Sequence, residues 1–370
     1  MTRFCFIRHV MAEGNIYKFW QGQQDTLVLP KGEEQLAKLR ELSPEFKFNK
    51  IYSSDLYRTR MTAEAISYAN NIPIEFDRRL REINLGVMET LPWANTRIDM
   101  PDLFARFKSD PAFVTPGGES NYDVRDRMKE IIDQIAKKHD GETIAIVSHG
   151  GAIKAYLRNF AVNFDTIPPL SSNASMTYAE YEDGKVTITE LDERACVGTS
   201  DPNAGNGVDL YFKTLDFERD HEEILECGSD SWYAIYGNLH DFDDENFMRN
   251  TKGILTADPE SGFIAYDNDT VAGMLLLDTR QRDEQGVGHI ALVYLKPDYR
   301  YRGIGAQLIG KAVMFYRLRG KDTLRLNVAK CNKIAQKFYA KHGFELTTKS
   351  RHTLSRTLVM KKNIKVPKLV

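Results

Sequence analysis

The sequence predicts an α/β protein of two domains, the first with a mainly parallel sheet and the second with a mixed, mainly antiparallel sheet. The 370 residues exceed what one hydrophobic core usually spans. Strand-like and helix-like patterns alternate in the first half, whereas strand-like runs follow one another directly in the second. Between the halves, residues 194–209 lose this periodicity and collect Gly, Asn, Asp and Pro. We therefore expect domains at 1–197 and 208–370, joined by a linker at 198–207.

Composition and charge narrow the classes of partner. Hydrophobic residues make up 42% and charged residues 28% of the chain, which is typical of globular proteins and argues against extensive disorder. The formal charge of −2 gives no reason to expect a nucleic acid as the main partner, so small molecules are expected instead. No apolar run is long enough to span a bilayer, and the first residues lack the pattern of a signal peptide. These features predict a cytoplasmic protein without a membrane partner.

The cysteines predict neither a structural zinc site nor disulfides. They are widely scattered, without CxxC spacing or a dense framework: Cys5, Cys196, Cys227 and Cys331. Reduced, mostly structural thiols are therefore expected. The oligomeric state has no signal in the sequence.

In the first domain, the predicted strands end in polar residues. The apolar run TRFCFI predicts a buried strand that is followed at once by Arg8 and His9. A helical pattern at 31–42 and a strand at Ile51 come next, and this order predicts a parallel sheet. A second helical pattern at 121–138 precedes a strand at 143–147, after which the chain reads Ser-His-Gly-Gly. Catalytic groups often occupy such strand ends in open α/β sheets.

In the second domain, three strands are predicted without helices between them, at 262–266, 270–277 and 289–295. This succession predicts antiparallel or mixed pairing. The Lys-rich stretch after Met360 is expected to be a solvated tail.

Several motifs of the first domain occur in a fixed order: FIRHV, SSDLYRTRMTAEAI, LREINLG, PGGES and IVSHGG. In this order they resemble the histidine phosphatase superfamily, also called the phosphoglycerate mutase-like family. The resemblance implies a three-layer α/β/α domain that hydrolyses a small-molecule phosphate ester. A phosphoryl group in transfer needs fixed cations, a nucleophile and an acid for the leaving oxygen, and these motifs offer all three.

The resemblance implies roles for matching residues. His9 corresponds to the nucleophile that becomes phosphorylated, and Arg8 and Arg58 to the phosphate clamp. Arginine suits a clamp because its planar fork can donate two parallel hydrogen bonds and keeps its charge near neutral pH. An isolated Arg-His pair is usually an ordinary surface or core feature, so the ordered set of motifs carries this assignment.

Three further positions complete the implied pocket. His149 corresponds to a second histidine that donates to a phosphoryl oxygen, and Glu82 to the acid that protonates the leaving alcohol and then activates water. Asn15 matches a polar residue at the edge of the pocket. No metal is expected in this mechanism.

The first domain departs from the family at two places. Val10 stands where relatives have Gly after the nucleophilic histidine. One interpretation is that Val10 keeps the same negative-φ backbone and makes the pocket drier, and the other is that it weakens phosphatase activity. Thr90 follows Glu89 where many relatives have Gly. The 67-residue interval between Glu82 and His149 fits broad phosphatases better than the longer glycolytic mutases.

The second domain contains a candidate cofactor loop. A coenzyme A pyrophosphate needs several converging N–H groups, which a Gly-rich turn at the start of a helix supplies. The segment 300–305 fits the pattern R/Q-x-x-G-x-G/A between a predicted strand and an amphipathic helix. Its residues are Arg300, Tyr301, Arg302, Gly303, Ile304 and Gly305. By itself, such a turn is as often a plain tight connection.

The downstream segment LRLNVAKCNKIAQKFYAKHGFE strengthens the prediction, because it resembles the other half of the GCN5-related N-acetyltransferase (GNAT) motif. The resemblance covers most of 210–364 and implies an α+β domain that uses acetyl-CoA to acetylate a small-molecule or peptide amine. It implies that four strand residues pair with the pantetheine arm: Leu292, Val293, Tyr294 and Leu295.

In this resemblance, Tyr339 protonates the leaving thiolate and Asn332 lies near the cofactor. Outside such a motif, a Phe-Tyr pair on a helix is more often part of a core. His289 and Asp298 flank the relevant strand, but neither is assigned as a general base.

Three hypotheses remain open at the level of sequence. The leading one is a bifunctional phosphatase and acetyltransferase. In the second, the first domain is a catalytically weak phosphate-binding module that regulates an active acetyltransferase. In the third, an active phosphatase carries a coenzyme A-binding module.

Overall fold

The structure is a computed structural model that describes residues 1–167, 172–198, 208–280, 285–347 and 356–368. Its first sheet has six strands: β1 (Thr2–Arg8), β2 (Lys50–Ser53), β3 (Ile74–Phe76), β4 (Thr143–Ser148), β5 (Met176–Glu182) and β6 (Lys185–Asp192). The strand order is β3-β2-β4-β1-β5-β6. The first four strands are parallel and the last two are antiparallel to their neighbours. The predicted mainly parallel sheet is confirmed.

Helices cover both faces of this sheet. They are α1 (Glu13–Tyr17), α2 (Pro30–Leu42), α3 (Tyr57–Ser67), α4 (Trp93–Asp99), α5 (Pro101–Ser109), α6 (Asn121–Lys138) and α7 (Gly150–Phe160). Side chains alternate along β1, so that Phe4 and Phe6 enter a core with α6 and α7, whereas Cys5 and Ile7 enter a core with α2 and α3. The domain is therefore a three-layer α/β/α structure, as predicted.

The second sheet has seven strands: β7 (Tyr211–Thr214), β8 (Gly262–Asp267), β9 (Thr270–Asp278), β10 (Val287–Leu295), β11 (Thr323–Ala329), β12 (Glu345–Leu346) and β13 (Thr357–Asn363). Its order is β12-β13-β11-β10-β9-β8-β7, and β10 and β11 form its parallel pair. Its helices are α8 (His221–Tyr236), α9 (Asp244–Ala257), α10 (Gly305–Leu318) and α11 (Lys333–Lys341). The mixed, mainly antiparallel sheet is confirmed.

The parallel pair opens into a V-shaped gap. β10 pairs with β11 only from Val287 to Ile290, and a bulge follows between Ile290 and Leu292. Beyond that point β11 keeps its pairing with β13, and the stretch 292–295 of β10 keeps its pairing with β9. Among the residues that the structure describes, one edge of this stretch therefore has no neighbouring strand.

The chain after Met360 differs from the sequence prediction. It was expected to be a solvated tail, but β13 extends to Asn363, Lys362 is 5% exposed and Ile364 is fully buried. Arg60 of α3 donates to the backbone carbonyl of Pro367 at 2.8 Å. The prediction of a solvated tail is wrong, because the aliphatic stem of a lysine can be buried within a sheet.

The two halves of the chain share one hydrophobic core cluster. Tyr17 and Phe19, which follow the predicted nucleophile, belong to the same cluster as the buried face of α10. Glu13 is fully buried and accepts two hydrogen bonds from Arg317 of α10, at 2.7 and 2.9 Å. A Cβ on Gly310 would lie 2.3 Å from Cβ of Tyr17, so only glycine permits this approach of α1. The domains are therefore packed together at α1 and α10.

The domain limits stay a prediction. The strands of the first sheet end at Asp192, and those of the second begin at Tyr211. Apart from residue 198, the predicted linker at 198–207 lies outside the described residues. Within the part of the chain that the structure describes, no helix is both long enough and apolar enough to cross a membrane.

Candidate active sites

Two histidines meet where β1 and β4 end. These strands are parallel neighbours, with Arg8 opposite Ser148, so the residues that follow them, His9 and His149, lie side by side. Their ring centroids are 5.1 Å apart, and both side chains are buried. The structure thus brings together two of the predicted pocket residues at the carboxyl ends of parallel strands.

The hydrogen bonding of His9 fixes its tautomer. Its Nδ1 lies 2.7 Å from the carbonyl oxygen of Val10, and because a carbonyl can only accept, Nδ1 donates. Nε2 therefore carries the free lone pair. Burial, followed by the positive charges of Arg58 and Arg8, lowers the pKa of His9 well below its ordinary value. The imidazole is neutral at physiological pH, which is the form a nucleophile requires.

Val10 does not distort the backbone beside His9. The φ of Val10 is negative. Its side chain is fully buried in the core next to α2 and α3. Its N–H donates to Oγ1 of Thr62 at 3.1 Å, and its carbonyl holds His9. The negative φ agrees with the first interpretation, whereas the effect of Val10 on the dryness and activity of the site stays a prediction.

Arg58 is buried beside the histidines near the start of α3. Its two terminal nitrogens donate to the carbonyls of Gln24 and Gly22, at 2.9 and 2.8 Å. Burial lowers the pKa of Arg58 to about 10, so the guanidinium stays charged at neutral pH. Arg8 is close to the first turn of α7, where a Cβ on Gly150 would lie 3.2 Å from its Nε. Both predicted clamp residues therefore surround the histidine pair.

The carboxylate of Glu82 is held at the start of α7. It accepts hydrogen bonds from the N–H groups of Gly151, Ala152 and Ile83, at 3.1, 2.9 and 3.0 Å. A Cβ on Gly151 would lie 2.5 Å from this carboxylate, so the close approach depends on glycine. Helix N-termini stabilise such contacts through their free N–H groups. The carboxylate of Glu82 is thus held by backbone N–H groups that closely follow His149 in the chain.

Asn15 has a local structural contact. Its Oδ1 accepts from the N–H of Ala12 at 3.0 Å, which ties it to the start of α1, a few residues after His9. A pocket-edge role for Asn15 stays a prediction.

The sequence did not identify two polar residues of this site. Oγ of Ser54, in the polar turn after β2, lies 2.9 Å from Nε2 of His149. Gln23 donates to the carbonyl of Glu82 at 3.1 Å. Ser54 could have been found from its position directly after a predicted strand, like His9 and His149. Gln23 lies in a loop, and nothing in the sequence predicts the path of that loop.

The candidate cofactor loop has the backbone that anion binding requires. Tyr301 and Gly303 have φ values of 60° and 74°. Among the described residues, the N–H groups of 301–304 have no hydrogen-bond acceptor. α10 begins directly afterwards at Gly305, where a Cβ would lie 3.1 Å from the ring of Phe338. These free donors at a helix start fit a pyrophosphate group.

The side chains of the loop differ in their hydrogen bonds and burial. Nε of Arg300 donates to the carbonyl of Leu295 at 2.9 Å, which holds the loop against the end of β10. Arg302 donates to the carbonyl of Asp298 at 3.3 Å and is partly exposed. Ile304 is buried in the core. Both arginines are thus partly exposed, and each donates a hydrogen bond to a backbone carbonyl of the segment before the loop.

The open edge of β10 fits the predicted position of the pantetheine arm. Its side chains alternate, with Val293 and Leu295 packed toward α10 and α11, and Leu292 and Tyr294 toward α8. The hydroxyl of Tyr294 donates to Asp230 at 3.0 Å. The unpaired backbone edge beside these residues can accept an extended, amide-containing chain.

Tyr339 and Asn332 occupy opposite ends of α11. Tyr339 is 9% exposed, and burial raises its pKa, so the phenol keeps its proton at neutral pH. No hydrogen bond of its hydroxyl occurs within the described residues. Asn332 accepts from the N–H of Ala335 at 2.9 Å and caps the helix, which is a structural role. The position of Asn332 near a cofactor stays a prediction.

The family assignment follows from comparison with known proteins. The model of the histidine phosphatase superfamily (branch 1) matches residues 4–194, which is half of the chain. The chain belongs to the histidine phosphatase superfamily. The model of the acetyltransferase (GNAT) family matches residues 222–344 of the same chain. The predicted fusion of the two families is confirmed.

Individual relatives match the histidine phosphatase part. Phosphoglycerate mutase-like protein 4 of Arabidopsis thaliana is 30% identical over 186 residues, which are 49% of this chain and 81% of that protein. Probable phosphoglycerate mutase GpmB of Escherichia coli O1:K1 is 32% identical over 154 residues, 41% of this chain and 72% of that protein. The solved structure of Bacillus stearothermophilus YhfR has a TM-score of 0.47 and 30% identity, covering 51% of this chain and 96% of that chain.

Within the described part of the chain, no cluster of three or more His, Cys, Asp or Glu side chains could hold a metal ion. The cysteines that the structure describes form no disulfide, and Cys5 and Cys227 are buried. The histidine phosphatase pocket is instead lined by two histidines, two arginines and a carboxylate. Such a set supplies positive charge and proton transfer from side chains alone.

Proposed function

We propose that the chain is a bifunctional enzyme, which hydrolyses small-molecule phosphomonoesters through a phosphohistidine on His9 and transfers an acetyl group from acetyl-CoA to an amine. The observation that carries the first activity is the geometry of His9. Its Nδ1–H is held by Val10, its Nε2 lone pair is free, and its pKa is lowered by burial and by Arg58 and Arg8. A neutral nucleophile between two fixed cations suits phosphoryl transfer.

The phosphatase reaction has two steps. Nε2 of His9 forms a bond to phosphorus while the bond to the ester oxygen breaks, and Glu82 gives a proton to the departing alcohol. Water then forms a bond to phosphorus while the bond between phosphorus and Nε2 breaks, the proton of the water passes to Glu82, and inorganic phosphate leaves neutral His9 behind. Arg8, Arg58 and His149 offset the charge on the phosphoryl oxygens throughout. Its hydrogen bonds to the N–H groups of Gly151 and Ala152, which closely follow His149 in the chain, support the role of Glu82 in both proton transfers.

The proposed acetyl transfer is supported by the loop at 301–304, the open edge of β10 and the protonated phenol of Tyr339. When bound, acetyl-CoA supplies an activated acetyl thioester. The loop N–H groups would hold its pyrophosphate, and the backbone of 292–295 would orient its arm. Tyr339 would hold the proton that the departing thiolate requires. The acceptor is a small-molecule or peptide amine.

The phosphatase activity is tested by measuring phosphate release from sugar, nucleotide and glycolytic phosphates. His9→Ala is expected to abolish release, and wild type is expected to give an acid-labile phosphoenzyme. The matched control is His240→Ala, because His240 is exposed in the second domain. Equal rates for wild type and His9→Ala contradict the assignment. A stable phosphoenzyme without turnover supports the weak phosphate-binding module instead.

The acetyltransferase activity is tested with acetyl-CoA and a panel of amines, by following the free thiol. Tyr339→Phe is expected to lower the rate, whereas Tyr233→Phe, at a tyrosine that is 57% exposed, is not. If no amine in a broad panel is acetylated while acetyl-CoA binds, the second domain is a coenzyme A-binding module.

A further inference from the structure

A cavity of about 260 Å³ lies between the two domains, away from both candidate active sites. We call it the interdomain cavity. The first domain contributes Phe19 and Thr90 to its wall, and the second contributes Phe263, Lys311, Met314 and Phe315. Aromatic and aliphatic side chains form much of its lining, together with polar ones that include Glu260, Gln307 and Arg319. Small-molecule sites commonly have this composition and often lie at domain interfaces.

Lys311 is a cation in the cavity wall, which also contains the carboxylate of Glu260. Its ammonium lies 4.3 Å from the ring centroid of Phe263 and 6.0 Å from that of Phe212. None of the carboxylates in the described residues forms an ion pair with it. By contrast, Arg319 of the same wall is paired with Glu260 at 2.8 Å. Burial lowers the pKa of Lys311 to about 8, although the carboxylates of Asp99 and Glu260 act in the opposite direction.

Thr90 is a polar residue that the first domain contributes to the cavity wall. Its φ is 70°, in the left-handed region that a β-branched residue rarely adopts. Its N–H donates to the carbonyl of Trp20, but its hydroxyl has no hydrogen bond within the described residues. Glycine would adopt this backbone without strain. A strained residue with a free hydroxyl at a cavity wall is typical of functional positions.

We propose that the interdomain cavity binds a small organic carboxylate with an aromatic or branched apolar body. The carboxylate would accept hydrogen bonds from the ammonium of Lys311 and the hydroxyl of Thr90, and the apolar part would lie against Phe263 and Phe315. A charge-assisted hydrogen bond to an anion supplies the partner that Lys311 lacks. An apolar cavity of about 150 Å³ can hold benzene, so the volume here accommodates an aryl acid.

The proposed ligand contacts both domains at once. Lys311 lies on α10, six residues after Gly305, where the helix begins at the candidate cofactor loop. Thr90 follows Glu89, and the carboxylate of Glu89 accepts a hydrogen bond from the N–H of Gln23 near the phosphate pocket. Binding would therefore stabilise the packed arrangement of the two domains.

The test is isothermal titration of the full-length protein with phenylacetate, with phenylacetamide as the uncharged analogue. Wild type is expected to bind phenylacetate at one saturable site and to bind phenylacetamide at least about tenfold more weakly, the usual effect of a charged hydrogen bond. Lys311→Met keeps the apolar stem and is expected to lose about tenfold or more in affinity. Lys252→Met, at an exposed lysine of the same domain, is the matched control and is expected to bind as wild type.

A second variant keeps the test valid if Lys311→Met does not fold. Thr90→Ala removes the hydroxyl and is expected to weaken phenylacetate binding several-fold. Three outcomes overturn the proposal: no saturable binding of phenylacetate up to about 10 mM, equal affinity for the acid and the amide, or unchanged affinity in folded Lys311→Met protein.

Discussion

The buried ion pair between Glu13 and Arg317 predicts that the two domains unfold together. Glu13 is fully buried and accepts three hydrogen bonds, two from Arg317 and one from the N–H of Leu27 at 3.1 Å. Glu13→Ala would leave a buried guanidinium without its counter-ion. Breaking such a pair usually costs about 3–5 kcal/mol. Because the Arg317 side chain is 17% exposed and can be partly hydrated, we expect about 3 kcal/mol.

The assay is urea unfolding followed by far-UV circular dichroism and tryptophan fluorescence. Wild type is expected to unfold in one transition, because Tyr17 and Phe19 belong to the core cluster of the second domain. Glu13→Ala is expected to lower the midpoint or to separate the transition into two. The double variant Glu13→Ala/Arg317→Met removes both charges, so it should be more stable than Glu13→Ala alone.

Two results would refute this reasoning. One is a loss of less than about 1 kcal/mol in Glu13→Ala, since a buried charge without a partner should be felt more strongly. The other is additivity of the two substitutions, because residues in direct contact should show coupling. Either result would mean that the domains are held mainly by the apolar contacts of α1 and α10.

Four further predictions concern the sites. Val10→Gly should destabilise the protein by about 3 kcal/mol in urea unfolding without raising kcat, because it empties a buried position whose φ is already negative; a faster, equally stable variant would contradict this. kcat/KM for phosphate release should keep more than half of its plateau value at pH 6.5, since the neutral form of His9 is lost only as pH falls through a pKa that lies below 6.5; half-loss at pH 6.5 would show an unshifted histidine. Gly151→Ala should lower phosphatase kcat by about tenfold or more with an unchanged unfolding midpoint, because its Cβ would displace the Glu82 carboxylate; wild-type kcat would argue against that carboxylate as the acid. Tyr339→Phe should lower acetyl transfer by about tenfold or more at neutral pH with unchanged acetyl-CoA affinity, and equal rates would indicate that another group protonates the thiolate.

Local patterns located the elements that they predicted, but other elements, such as β5, β6, α8 and α9, had no prediction. Each predicted element lies within two residues of an observed one, including α6 at Asn121–Lys138, where Ser120 and Asp123 form a capping box. The two histidines could be paired from sequence because both follow buried strands of a parallel sheet. Their strand ends therefore had to lie on one edge.

Contacts between distant parts of the chain could not be predicted. Glu82 follows no strand, and its place at the start of α7 depends on backbone N–H groups that carry no sequence signal. The burial of Lys362 in β13 was also missed, because a run of lysines has the composition of a solvated tail whatever its side-chain stems pack against. The hydrogen bond from the hydroxyl of Tyr294 to Asp230 likewise depends on how α8 packs on β10.

The domain interface changes how the fusion should be understood. A flexible linker alone would leave two independent domains, each with its own stability. Here α1, which starts four residues after His9, packs on α10, which starts at the candidate cofactor loop. The buried pair of Glu13 and Arg317 joins these helices, and the interdomain cavity lies beside them. A short segment after the proposed nucleophile is thus part of the core of the second domain, so separating the halves at the predicted linker would expose apolar surface on both.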